Sequence, residues 1–395
     1  KFRVRKFMKL FKSLLVAPAT LGLLAPMSAT ANEVTISDFT PAEQLAITNS
    51  RVDGLEARLN NIEAGSFSET TSASFSVDFG IGAVDGLGIT TTDKDSGQEA
   101  FTATYGFQID LTTSFTGEDS LDISIDAGNA GSSTSPLGEL DLNNGGTADE
   151  LTVDGVSYTF PVGDDTTVVV GAQGTDGSVL FTTACTYGGP SNTLDDCGNV
   201  QSNFVGNGTT LGASYAFSDE FTMAVGYAGD GKTATTGLMT DEGLDAVGVN
   251  AAYTTDTYGI SATYANVEGT YALKTGQMAD TSVALNGYFS PEGFPSISAG
   301  YEFTDVGGAG VNVDEKTSFF VGLQFDEVGP GSAGVAVGTQ GSILEGNDEA
   351  LMYEAYYSYP VNDGMTVTPL VYAKEATSST DEDETGVMVK TSFSF

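Results

Sequence analysis

Carboxylates set singly among apolar neighbours are the groups of this chain best placed to do chemistry. Asp78 stands between Val77 and Phe79, Asp110 between Ile109 and Leu111, Asp122 between Leu121 and Ile123, and Asp126 beside Ile125. Glu302, between Tyr301 and Phe303, and Glu354, beside Tyr353, follow the same rule; Lys390 is the one clear base on a strand that does so. Successive side chains of a strand point to opposite faces, so these charges share one face and the apolar residues the other. Acids ringing a water-filled space raise the local concentration of cations and bias which ions enter. The plainer alternative is that they are solvated and that an infolded loop sets the narrowest point.

Composition removes most other chemistry. The 395 residues include no His, so hydrolysis relying on a histidine base is excluded. A Walker-type phosphate loop is missing, and the Gly-rich stretches open no helix, so the reading is not an enzyme and no cofactor is expected. Without His, only oxygen-ligand cations remain, such as a loop-bound Ca²⁺ at Asp381, Glu382, Asp383 and Glu384 or at Asp195 and Asp196. Cys185 and Cys197 share one polar stretch; in an exported chain they form a disulfide that contributes about 3 kcal/mol in the chain-entropy model.

Export is read from the N-terminus. Lys9 and Lys12 precede a short apolar core, and Ala29-Thr30-Ala31 closes it, which makes residues 1–31 a secretory signal with 1–7 as an extension upstream of Met8. Six of the 14 Lys and Arg lie at or before Lys12, so the mature chain sets 8 bases against 53 acids, about −45 net. That balance excludes nucleic acid as a partner, because its binding depends on Lys and Arg neutralising phosphates. A linker (32–41) leads to a helix over 42–65, with Leu45, Thr48, Val52, Leu55, Leu59 and Ile62 at heptad spacing. Three heptads suit a small coiled coil between copies of an oligomer.

From residue 66 onward the period is two. The last residues put Val387, Val389, Thr391, Phe393 and Phe395 on one face and Met388, Lys390, Ser392 and Ser394 on the other. Such a strand fits between lipid and water, with Phe393 and Phe395 as a C-terminal barrel signal; the last strand of a soluble sandwich is the rival. Tight turns fall at Gly117-Glu118-Asp119, Gly163-Asp164-Asp165, Ser218-Asp219-Glu220, Thr255-Asp256, Pro291-Glu292-Gly293, Val328-Gly329-Pro330 and Asn362-Asp363-Gly364. Long Gly-, Asp- and Ser-rich connections alternate with them. Seven hairpins with an opening and a closing strand make sixteen, and the even count with alternating loop lengths predicts an all-β, 16-stranded antiparallel transmembrane β-barrel over 66–395. The short turns then face the periplasm, as does the N-terminal helix. Phe160, Tyr215, Phe217, Tyr253, Tyr288, Phe289, Phe303, Phe325, Tyr357 and Tyr359 are placed near short turns as an interfacial girdle, and Pro369 predicts a bulge. The long connection 175–208, stapled by its two cysteines, is the candidate constriction loop.

Three segments carry a family resemblance. Ser114-Phe115-Thr116-Gly117-Glu118-Asp119 with Leu121 resembles the first hairpin turn of cyanobacterial outer-membrane porins, classed with carbohydrate-selective porins of the OprB type. Arg51-Val52-Asp53-Gly54-Leu55-Glu56-Ala57-Arg58-Leu59 is similar to the coiled-coil segment before their barrel, and Met8-Lys9-Leu10-Phe11-Lys12 with Leu15-Val16-Ala17-Pro18-Ala19 to their signal peptides. The resemblance implies a homotrimer in outer-membrane lipid, passing inorganic ions and small solutes. It departs from the family where an S-layer-homology domain usually stands, since only 32–41 fills that space. The lining acids add cation preference. The alternative function is an adhesive or receptor barrel whose conduction is incidental.

Overall fold

A computed structural model describes residues 71–88, 99–130, 137–140, 142, 147–202, 208–231, 237–240, 243–269, 278–307, 315–377 and 381–395, all within the unit Ser66–Phe395. The signal 1–31, the linker 32–41 and the helix 42–65 with its seam lie outside the described residues.

The strands are β1 (Thr71–Asp85), β2 (Thr102–Thr113), β3 (Ser120–Gly128), β4 (Thr152–Pro161), β5 (Thr166–Thr175) and β6 (Gly208–Ala216). Next come β7 (Phe221–Gly229), β8 (Asp245–Thr254), β9 (Tyr258–Gly269), β10 (Met278–Phe289), β11 (Ser296–Asp305) and β12 (Glu315–Val328). The last are β13 (Gly331–Thr339), the two-residue β14 (Ile343–Leu344), β15 (Leu351–Asn362), β16 (Met365–Lys374) and β17 (Glu384–Ser394). Each pairs antiparallel with its sequence neighbour, β13 pairs with β15 past β14, and β17 pairs with β1. Sixteen strands therefore close the ring, and β14 only extends the edge of β12. Closure leaves no unpaired ladder, the condition that lipid imposes on a sheet.

All seven tight turns fall between paired strands at the expected places. In the first, the buried Asp119 accepts hydrogen bonds from Ser114 Oγ (2.8 Å), the amides of Phe115 (2.9 Å) and Thr116 (2.8 Å), and Tyr158 OH (2.6 Å). Gly117 sits at φ 90° with open space around it, so backbone conformation rather than room demands glycine.

Side-chain alternation follows the strands. Phe75, Phe79 and Ile81 of β1, Val283, Leu285 and Phe289 of β10, and Tyr353 and Tyr359 of β15 are exposed on the outside, Leu285 by 55%. The seam is apolar there too: Phe395 stacks on Phe75 with ring centroids 5.7 Å apart, and Phe393 meets Phe79 edge-on at 6.0 Å. Aromatic pairs cluster at the short-turn end, among them Tyr158–Phe160, Tyr215–Phe217 and Tyr253–Tyr258.

Three expectations need correction. Phe303 lies toward the long-loop end of β11, two residues before Asp305, because the turn near it in sequence opens β11 rather than closing it. Pro369 causes no bulge: it pairs with Val389, and the β15–β16 register is unchanged on either side of it, Tyr356 opposite Leu370 and Tyr359 opposite Val367. A missing donor removes a ladder bond without inserting a residue; the register shift lies at Pro360/Asn362 instead. The inner face is also not uniformly polar. Phe320, Met352, Tyr356, Leu370, Tyr372 and Met388 occupy it and are buried.

Candidate functional site

Those residues are buried by the described parts of the connections after β3 and β5, among them 137–140, 142 and 176–202, which lie inside the ring. Leu137, Leu140 and Leu142 from the first and Tyr187, Leu194 and Cys197 from the second pack against Val84, Phe320, Met352, Leu370, Tyr372 and Met388. A short 3-10 turn, Gly138–Leu140, brings Glu139 beneath β16, where it pairs with Lys374. The two connections are tied by the Asn192 amide, which donates to the Glu139 carbonyl at 3.0 Å.

The second connection forms a strap along the wall from β6 to β15, bonded at almost every strand it crosses. Thr182 N donates to Asn250 Oδ1 (3.0 Å), Ala184 N to Ser261 Oγ (2.9 Å) and Thr186 N to Ser298 Oγ (2.9 Å). Tyr187 OH donates to Glu354 Oε1 at 2.6 Å, and Gly188 N to Gln324 Oε1 at 3.3 Å. On its return, Asn286 Nδ2 donates to the Cys197 carbonyl (2.9 Å) and Ser318 Oγ to that of Gly198 (3.0 Å). Glu302 ends the run, accepting from Gln201 N (2.8 Å), Ser202 N (2.8 Å) and Ser202 Oγ (2.7 Å). A disulfide joins Cys185 and Cys197, with Cα atoms 6.6 Å apart. Burial raises the Tyr187 hydroxyl well above its ordinary range, with Glu354 adding to it, and pushes Asp196 up to about 6, with Glu302 beside it raising it further.

Sequence parity put six acids and one lysine on the inner face, and burial divides them. Glu302 is 1% and Glu354 4% exposed, and both hold the strap rather than face water. Asp126 is buried, and Asp78 is buried beside Lys390 Nζ at 3.3 Å. Asp110 and Asp122 alone of the six keep contact with solvent. Asp110 Oδ1 accepts from Gln108 Nε2 (2.6 Å) and Ser124 Oγ (2.7 Å); Asp122 Oδ1 accepts from Thr112 Oγ1 (2.9 Å) and Ser120 Oγ (2.7 Å).

Lys390 is not the one inward base on a strand. Lys316 shares its face with Ser318 and pairs with Asp280 at 2.9 Å, and Lys374 shares its face with Tyr372. Every described lysine is thus paired with a carboxylate. Also absent from the sequence reading are the strap's neutral anchors, Asn250, Ser261, Asn286, Ser298, Ser318 and Gln324. Their signal was present: inner positions of β7 to β13 are unusually rich in Gly, Ala, Ser and Asn, the residues that leave room for a second backbone. A Cβ at Gly226 would run into the Gly177 carbonyl, and one at Gly300 into that of Cys197. Among the described residues no three His, Cys, Asp or Glu gather closely enough to hold a metal; Asp196 Oδ1 accepts from Gly198 N and Asp383 Oδ1 from Ala376 N.

A closed sixteen-strand antiparallel barrel narrowed by an infolded strap has the fold of the bacterial porins. OprB of Pseudomonas putida superposes with a TM-score of 0.56, over 82% of this chain and 94% of that one, at 13% identity. The anion-selective porin of Comamonas acidovorans gives 0.58 over 82% and 99%, at 13%, and the outer-membrane channel DcaP of Acinetobacter baumannii 0.53 over 82% and 97%, at 14%. In sequence, the chain is 22% identical to an uncharacterised protein of Nostoc sp. over 453 residues, covering 96% of this chain and 75% of that protein. No family model matches it.

Proposed function

We propose that this protein is an outer-membrane porin, a water-filled channel for passive diffusion of ions and small hydrophilic solutes that prefers cations. The observation that carries this reading is the eccentric lumen. Among the described residues the strap seats on β6 to β15 and the first infolded connection on β1 and β15 to β17. This leaves the short-turn half of β2 to β4 open, while Asp126 near the other end of β3 is buried. Charge on that wall is negative, because β2 to β4 carry acids and no Lys or Arg. A closed ring with an apolar exterior needs lipid around it, which supports outer-membrane residence with short turns toward the periplasm. Assembly as a homotrimer and placement of the 42–65 helix in the periplasm belong to the same proposal, as does kinship with the cyanobacterial porins.

Planar-bilayer recording tests it. Steady stepwise conductance is expected, with a reversal potential on the cation side in a KCl gradient. An absence of steps from correctly folded protein would favour a sealed receptor barrel, and an anion-selective potential would defeat the cation preference.

A further inference from the structure

We infer that Asp110 and Asp122 are specificity-determining residues of this channel and that they favour small hydrated cations, whereas the buried, partnered acids of the inner face contribute little. The inference rests on the porin reading above and assigns its selectivity to two side chains.

Position comes first. In a ring of sixteen strands, β2 and β3 stand half a circuit from β10 and β11. Those opposite strands carry Ser298, an anchor of the strap's outward run, and Asn286 and Glu302, anchors of its return. A solute crossing the lumen must therefore pass between the strap and the β2–β3 wall. Asp110 lies opposite Ser124 and Asp122 opposite Thr112, so the two carboxylates are diagonal neighbours on one face, about 7–8 Å apart between backbones. That spacing is within one screening length at physiological salt, about 8 Å, so an ion between strap and wall feels both.

Charge comes second. β2, β3 and β4 contain no Lys or Arg. Four other inward acids are spent: Asp78 on Lys390, Asp280 on Lys316, Glu302 on Gln201 and Ser202, Glu354 on Tyr187. Asp126 is buried, and Asp154, exposed on β4, adds to the negative charge near Asp110. A buried acid that already has partners contributes little to the field in the open lumen. Asp110 and Asp122 are held only by neutral donors, on Gln108, Ser124, Thr112 and Ser120. Hydrogen bonds from such donors fix a carboxylate in place without cancelling its charge.

The test uses the full-length protein in planar bilayers under a tenfold KCl gradient, with Asp110→Asn, Asp122→Asn and the double variant. Each single variant should lower the cation-to-anion permeability ratio, and the double variant should lower it by about five-fold, while stepwise conductance persists. Asp110→Glu with Asp122→Glu, which keeps both charges, should leave the ratio near the parent value. If the parent gives no steps, the porin reading itself fails. If the parent is a cation-preferring channel and the double variant keeps its reversal potential, the inference alone is overturned and selectivity lies with the loops at the mouths. Should the double variant not fold, as judged by heat-modifiable migration, the two single variants decide it on the same readout.

Discussion

At the scale of single residues, identity says which face a side chain takes, and the fold decides whether its charge is used. Parity along β1, β2, β3, β11 and β15 was legible because the apolar row is nearly unbroken there. That Glu302 and Glu354 would be buried was not, since their partners Ser202 and Tyr187 stand 100 and 167 residues away. Gly300 shows the same dependence. On sequence it is a small residue in a strand, but the Cys197 carbonyl fills the space its Cβ would take. Gly300→Ala is expected to cost about 1–3 kcal/mol of strap docking through overpacking, read as altered single-channel conductance with barrel migration unchanged. Asp119 offers a pH test. The Tyr158 hydroxyl first, then the Thr116 and Ser114 donors, hold its carboxyl well below the usual range. A depressed folded value means the stabilisation is full above the unfolded value near 4 and is lost as pH falls through the folded one. The thermal midpoint of the barrel should drop between pH 5 and pH 2 by more in the parent than in Asp119→Asn; equal drops would remove Asp119 from the account.

At the scale of elements, turns and their alternation were legible because each hairpin is a local event with its own turn chemistry. The strap was legible only as a long stapled connection. Its path is fixed by inner residues hydrogen-bonding from β8, β9, β10, β11, β12 and β15, and no local pattern encodes that. It is also the element with most to lose. Replacing Cys185 and Cys197 by Ser should remove about 3 kcal/mol of restraint on the strap, appearing as noisier open-channel current without loss of the barrel. Glu302→Gln probes the strap's end, where two amides and a hydroxyl converge on one carboxylate. With an acceptor oxygen replaced by a donor amide, docking there should weaken by about 1–3 kcal/mol, seen as faster hydrogen exchange at Gln201 and Ser202. Unchanged exchange would show that the apolar cluster around Leu194 and Phe320 holds the strap by itself.

At the scale of the whole molecule, inside and outside are defined by closure, and the two faces should therefore answer one substitution differently. Leu285, mid-strand on β10 and 55% exposed, has no protein to cover it. Gln108, mid-strand on β2, shares its face with Asp110 and donates to it. Arginine at either position is polar, long and positive, so only the surroundings distinguish the two variants. In lipid, Leu285→Arg should cost about 2–4 kcal/mol of folding free energy, as a cation near the bilayer midplane does. Gln108→Arg should leave folding within about 1 kcal/mol, because the lumen hydrates the new charge and Asp110 pairs with it. It should instead move the reversal potential toward anions. Urea-driven folding into lipid vesicles measures the first effect and bilayer recording the second. If both variants fold equally well in vesicles, the apolar row of β10 does not face lipid, and the inside-out arrangement derived from closure is wrong.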